Sequence, residues 1–277
     1  MATITTQDGV ALHVTDTRAD AGGGNARTVV LIAGYTAPAT TWLLQSEALA
    51  AAGYRVVCVD RRSHGRSDAP LYGQRIARHA RDLDEVLTAL GLSDALLVGA
   101  SMGASTVWSY LDLFGTGRVS GVVSVDQTPR MLNGDGWDLG YYGFDRSNAG
   151  TFFAEEIPPT GKGLGPERTL ETLQAIAARL GPEENLMPGI RPETLPLLQD
   201  HAMQDWRDVI ARVDVPVLMV AGAQSQLWPS AHAEASAAMA KDGRAVVLDE
   251  CGHVVNLDQP DAFNAVLVQF AAEVCVS

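Results

Sequence analysis

The chain has 277 residues, with 47% hydrophobic residues, 19% charged residues and a formal net charge of −13. That is enough apolar material for one large domain, or for a core plus an inserted cap. The acidic balance argues against nucleic acid or an anionic membrane as partner, and no apolar run approaches the ~18 residues that a membrane span needs.

The opening Met-Ala-Thr-Ile-Thr-Thr-Gln-Asp-Gly carries neither a basic nor an apolar segment, so no secretory signal is read and a cytoplasmic location is expected. Residues Ala2–Thr6 and Ala11–Val14, joined through Gln7-Asp8-Gly9, read as an antiparallel hairpin, and Ala21–Asn25 (AGGGN) as a loop tip. Apolar runs follow at Thr28–Ala33, Arg55–Val59, Ala95–Val98, Val119–Val125, Val217–Ala221 and Arg244–Leu248. Runs of this kind are the signature of parallel strands buried on both faces. Amphipathic stretches at Thr41–Ala52, Ile76–Leu90, Met102–Phe114 and Asp261–Val274 alternate with them, the last following Pro260. This alternation predicts a mostly parallel, doubly wound α/β sheet.

Between about Pro129 and Ala211 the alternation breaks. The stretch is rich in Gly, Pro and aromatic residues, with a helix near Glu167–Leu180 and no strong strand. An irregular excursion of this length is uncommon in a compact domain. Residues 129–211 therefore read as a mainly helical cap inserted into a core made of residues 1–128 and 212–277. Cys58, Cys251 and Cys275 are scattered, without metal-ligand spacing or a disulfide framework, which fits a reducing compartment. Cys251 reads as a packing residue close to the site.

The chemistry centres on Gly-Ala-Ser-Met-Gly at 99–103, directly after the run Ala95–Val98 and before a helical stretch. Strand, G-x-S-x-G and helix together make a turn so tight that Ser101 stands above the strand end, where a base can reach its hydroxyl. A serine hydroxyl needs such a base at neutral pH. His253, in Glu-Cys-Gly-His after the last strand, is the candidate. His13, His79 and His232 read as surface or packing residues, and His64 as structural; His201, in the inserted block, reads as a possible substrate contact. The base in turn needs a carboxylate to set its tautomer. After Val217–Ala221 the sequence is Gly-Ala-Gln-Ser-Gln-Leu-Trp-Pro, which has no acid. One strand earlier, Asp126 ends the run Val119–Val125, and neighbouring strands lie only about 4.8 Å apart. Asp126 is therefore assigned as the acid. The alternative has Asp126 capping a turn through Thr128, with Ser225 or Glu250 as partner of His253. Two backbone N–H groups are expected to bind the oxyanion: that of Met102, and that of Tyr35 in the loop Ala33–Pro38, where Gly34 permits close approach.

Taken together these residues resemble the α/β-hydrolase superfamily over essentially the whole chain. Ser101, Asp126 and His253 follow its nucleophile–acid–histidine order, and Asp60-Arg61-Arg62-Ser63-His64-Gly65-Arg66-Ser67 is similar to its D-x-R-G-x-G-x-S segment, with Ser63 where glycine is usual. Ala33 replaces the usual histidine of the oxyanion loop, and Ser225 stands where the acid normally lies. The resemblance implies the α/β-hydrolase fold and a serine hydrolase that cleaves a small or medium carboxylic ester, lactone or thioester through an acyl-enzyme, with no metal and no cofactor. Trp137 and Trp228, with Tyr141, Tyr142, Phe152, Phe153 and Trp206, are expected to shape an apolar substrate site. Other chemistries of the same fold stay open: cofactor-free oxygenation, perhydrolysis, C–C hydrolysis, or a cyclase-like or ligand-binding relative. A small-molecule ester is the expected partner; oligomeric state is not readable.

Overall fold

The computed structural model describes residues 2–17, 27–181 and 184–275, so the Ala21–Asn25 loop tip lies outside the described residues. Among those residues eight strands form one sheet: β1 Ala2–Thr5, β2 Ala11–Asp16, β3 Thr28–Ile32, β4 Arg55–Val59, β5 Ala95–Ala100, β6 Val119–Val125, β7 Val217–Gly222 and β8 Gly243–Leu248. Their spatial order is β1-β2-β4-β3-β5-β6-β7-β8. Pairings β1–β2 and β2–β4 are antiparallel, and those from β4 to β8 are parallel.

The helices are α1 Leu43–Ala51, α2 Ile76–Ala89, α3 Met102–Phe114, α4 Glu167–Leu180, α5 Leu195–Ala202, α6 Arg207–Arg212, α7 His232–Ala237, α8 Val255–Asp258 and α9 Pro260–Val274. Strand β3 shows why a parallel strand reads as an unbroken apolar run, since all five of its residues are buried. Val30 and Ile32 pack in the layer that holds α2, α3 and α7. Val29 and Leu31 face the opposite layer with α1 and α9. Both faces of the sheet are thereby covered.

The helix expected over Thr41–Ala52 is split, with a 3₁₀ turn at Ala39–Trp42 leading into α1. Helices α5 to α8 carry no clear sequence signal, and the last three have only four to six residues. The chain between β6 and β7 carries α4, α5 and α6. Much of it joins the core beneath α2 and α3: Tyr141, Phe144, Phe153, Leu197, Trp206 and Ile210 all belong to that layer. Helix α4 instead packs Leu173 and Ile176 with Leu186 and Leu257. Among the described residues no helix is long and apolar enough to cross a membrane.

The junction of β5 and α3 is held at backbone distance from β3. A Cβ added at Gly103 would lie 2.3 Å from the Ile32 carbonyl oxygen, and one at Gly99 2.4 Å from the Ala104 nitrogen. A methyl group fits neither place without moving an element. Gly103→Ala is expected to lower unfolding free energy by about 1–3 kcal/mol or more, read from the urea midpoint at constant m-value. An unchanged midpoint would mean that α3 sits further from β3 than described.

Candidate active site

Ser101 and Asp126 occupy equivalent places on adjacent strands. Ala100 pairs with Val125 in the β5–β6 ladder, so each residue is the first beyond its strand end. Both are forced into the left-handed region, Ser101 at φ 50° and Asp126 at φ 42°. The backbone is anchored on either side: Ser101 N–H donates to Val125 O at 2.9 Å, and Asp126 N–H to Val220 O at 2.7 Å. Such conformations cost non-glycine residues energy and persist only where the surroundings impose them. Here the ladder imposes them and turns the Ser101 side chain into the cavity that it lines.

Asp126 is completely buried. Its Oδ2 accepts from His253 Nδ1 at 2.7 Å and from the Ser225 hydroxyl at 2.7 Å, and its Oδ1 from the Gly222 N–H at 3.2 Å. An ionised carboxylate only accepts, so the hydrogen is assigned to Nδ1 of His253. Ser225 and Glu250, the alternative partners, are engaged elsewhere: Ser225 braces Asp126 itself, and Glu250 pairs with Arg168 at 2.6 Å. Thr128 turns away and donates to the carbonyls of Arg130 and Leu139. Burial pushes the Asp126 carboxyl up, but the adjacent rings of His232 and His253 outweigh it and hold it down to about 2.

His253 reaches across β7 because the end of that strand is bare. A Cβ at Gly222 would meet the Gly252 carbonyl oxygen at 2.1 Å, so the 251–253 loop lies directly on the strand end. The loop is fastened from both sides. His253 N–H donates to Gln226 Oε1 at 2.8 Å, and Gly252 N–H to Asp258 Oδ2 at 2.8 Å. Trp228 closes the back of the imidazole edge to face, ring centroids 5.3 Å apart.

The three histidines read as surface or packing residues do pack within the fold, and each also meets a polar group. His232 is neither on the surface nor mere packing: it opens α7, is 1% exposed, and places Nε2 3.5 Å from Asp126 Oδ1. His79 and His13 are polar partners as well, to Arg61 and Asp60 respectively. No local sequence signal points to His232, because its partner lies 106 positions earlier in the chain. His201 is buried outside the cavity lining, and burial, then Arg61 and His253, push its pKa down to about 3. His64 is structural as expected, with Nδ1 2.8 Å from Arg62 O. Ser63, where glycine is usual, adopts φ 65°.

Ser101 and His253 open into one cavity of about 490 Å³. Its walls are largely apolar, from Ala37, Trp42, Ile157, Leu173, Leu186 and Leu257 among others. Gly34 and Tyr35 line it beside Ser101. Met102 is the first residue of α3, so its N–H has no acceptor within the helix. Neither tryptophan lines the cavity. Trp137 spends its indole N–H on Thr128 Oγ1 and Arg130 O, and Trp228 is the buried wall behind His253. Tyr141, Phe144, Phe152 and Phe153 stack on one another at 4.9–5.6 Å, so they are core rather than lining. The segment between β6 and β7 contributes instead Ile157, Thr169, Leu173 and Leu186 to Gly189, which composition did not single out. Cys251 is buried, and burial raises its thiol pKa. Among the described residues no group of three or more His, Cys, Asp or Glu side chains converges as a metal site would require.

The alpha/beta hydrolase family profile matches residues 29–266. A non-heme chloroperoxidase of Streptomyces lividans is 30% identical over 84% of this chain and 85% of its own. A putative non-heme chloroperoxidase of a Synechocystis strain is 29% identical over 89% and 92% respectively. Among solved structures, an esterase from Exiguobacterium antarcticum superposes with a TM-score of 0.77 at 24% identity, covering 98% of this chain and 99% of that one.

The depressed Asp126 pKa fixes a direction for acid stability. A carboxyl held below its unfolded value stabilises the fold above that value, and the contribution fades as pH falls through the folded pKa. Between pH ~4 and ~2 the protein is expected to lose roughly 2 kcal/mol from this group. Urea unfolding at stepped pH should show a smaller loss over that window in Asp126→Asn; parallel curves would contradict the assignment.

Proposed function

The chain belongs to the alpha/beta hydrolase family, and on that footing we propose that it is a serine ester hydrolase working through an acyl-enzyme on Ser101. The observation that carries this reading is the His253 Nδ1–Asp126 Oδ2 contact of 2.7 Å at the cavity that Ser101 lines. With Nδ1 committed to the carboxylate, Nε2 is the imidazole atom left to act as base.

The steps follow from that geometry. Ser101 Oγ attacks the ester carbonyl while His253 Nε2 takes its proton, and Asp126 stabilises the imidazolium. The N–H groups of Tyr35 and Met102 hold the oxyanion. Collapse breaks the C–O bond, and His253 returns the proton to the departing alkoxide. Water, deprotonated by the same ring, then attacks the acyl-enzyme and releases acid and serine. The apolar walls favour a medium-sized alkyl or aryl ester, with the segment between β6 and β7 acting as cap.

A second reading shares the acyl-enzyme. The relatives named chloroperoxidases motivate it. Hydrogen peroxide in place of water would release a peracid, and peracid and halide would give hypohalous acid and the carboxylate.

A fluorophosphonate should label wild-type protein stoichiometrically at Ser101 and leave Ser101→Ala unlabelled, with turnover of p-nitrophenyl esters lost in parallel. Asp126→Asn should lower kcat by roughly 10³–10⁴. Retained turnover in Ser101→Ala would end the ester-hydrolase reading. Adding peroxide separates the two fates of the acyl group, since peracid formation at the expense of acid marks the second.

A further inference from the structure

Among the described residues, Arg61 is the one buried arginine without a carboxylate partner, and the proposed mechanism leaves it unused. Its neighbour Arg62, equally buried, is paired with Asp8 and Asp82. Arg61 is 4% exposed and, among the described residues, meets only neutral acceptors. Nε donates to Ala33 O at 3.1 Å, Nη2 to Gly34 O at 2.7 Å and to His64 Nε2 at 3.0 Å, and Nη1 to His79 Nδ1 at 3.2 Å. The imidazoles can accept only while neutral, and burial, then the Arg61 charge, keeps both pKa values well below the ordinary histidine value. Nothing in this cluster cancels the positive charge. A buried ion without a counter-ion is expensive, and a neutral donor would pin the same carbonyls more cheaply.

The place where that charge is delivered gives it a use. Gly34 C=O and Tyr35 N–H belong to one peptide unit, which is trans and planar, so the two bonds point in opposite directions. Arg61 holds the oxygen end of that unit. The hydrogen end is the donor assigned to the oxyanion. A cation on the carbonyl polarises the amide, strengthens its N–H as a donor and fixes the plane before substrate arrives. We infer that Arg61 is a positioning residue that charges the oxyanion hole through the Gly34–Tyr35 peptide, so that it stabilises the tetrahedral oxyanion in preference to the bound ester. The inference rests on the ester-hydrolase reading above.

Arg61 does not line the cavity, so the proposed role predicts an effect on the oxyanion and none on ordinary binding, which separates it from a structural one. Removing a direct oxyanion donor costs about 10²–10³ in kcat; one peptide removed, Arg61→Met should cost roughly 10–100-fold. The experiment compares wild type, Arg61→Met and Arg61→Lys on one p-nitrophenyl ester. It also measures affinity for a trifluoromethyl ketone, which forms a tetrahedral oxyanion with serine, and for an unreactive ether of the same shape. The expected pattern is a fall in kcat with KM within about twofold, an equal fall in ketone affinity, unchanged ether affinity and partial recovery in Arg61→Lys. Unchanged kcat in Arg61→Met overturns the inference. So does a loss that falls equally on KM, ketone and ether, since that is a collapsed loop. If Arg61→Met does not fold, Arg61→Gln replaces it, and equal kcat in the Gln and Lys variants overturns the inference. Failure of the ester reading is distinguishable, because wild type itself would then neither turn over ester nor take the Ser101 label, and this inference would fall with it.

Discussion

A carboxylate with no exposed surface costs several kcal/mol unless each of its acceptor sites is met, and Asp126 meets that demand with groups drawn from four separate elements. Gly222 N–H comes from the end of β7, the Ser225 hydroxyl from the loop after it, His253 from the loop after β8, and His232 from the start of α7. The carboxylate thus binds the last fifth of the chain to the end of β6. The histidine is oriented by the same interaction that keeps the charge tolerable. Loss of the Gly222, Ser225 or His253 donor leaves a buried anion short of a partner, so stability and geometry at this point cannot be varied separately. Gly222 adds a steric condition, because only a strand end without a side chain lets the 251–253 loop settle low enough for the ring to reach over β7.

Two buried charges of opposite sign flank the site. Asp126 lies behind the imidazole, and Arg61 behind the loop of Gly34 and Tyr35. In the proposed reaction the imidazole becomes positive and the carbonyl oxygen negative. Each developing charge therefore faces a fixed charge of opposite sign, one residue removed. Water would have to reorganise to supply that field, whereas here it is built into the fold and paid for during folding. The apolar walls of the cavity keep the local dielectric low and preserve it.

Strands were the most legible part of the molecule. The runs Arg55–Val59 and Val119–Val125 coincide with β4 and β6, because burial on both faces leaves few polar residues to blur the edges. Helices α6 to α8 are too short to display a period, and packing rather than propensity holds them. Within the candidate site, the strand–turn–helix around Ser101 and a carboxylate at the end of β6 could be read because each is a local pattern at a strand end. Trp137 and Trp228 misled because aromatic composition says nothing about which way a ring turns, and both rings turn into the interior. His232, Ser225 and Arg61 act through partners that only the folded sheet brings near, and no window of sequence contains that information.

Backbone strain marks the same rim without reference to any motif. Seven non-glycine residues among those described have positive φ, and five of them, Thr36, Ser63, Ser101, Asp126 and Glu250, lie in the turns that follow β3, β4, β5, β6 and β8. Each such conformation costs of order 1 kcal/mol or more. Thr36 is the clearest case, because a β-branched residue has least room there. Scattered over a surface, strain of this kind would signify little. Gathered at the C-terminal edge of a parallel sheet, it coincides with the place where open α/β sheets bind ligands. Among the described residues the opposite edge has nothing comparable beyond Asp94, before β5. The buried core on both faces of the sheet offsets that local cost, and what it holds in place is one rim of turns that would otherwise relax away from the geometry the proposed chemistry requires.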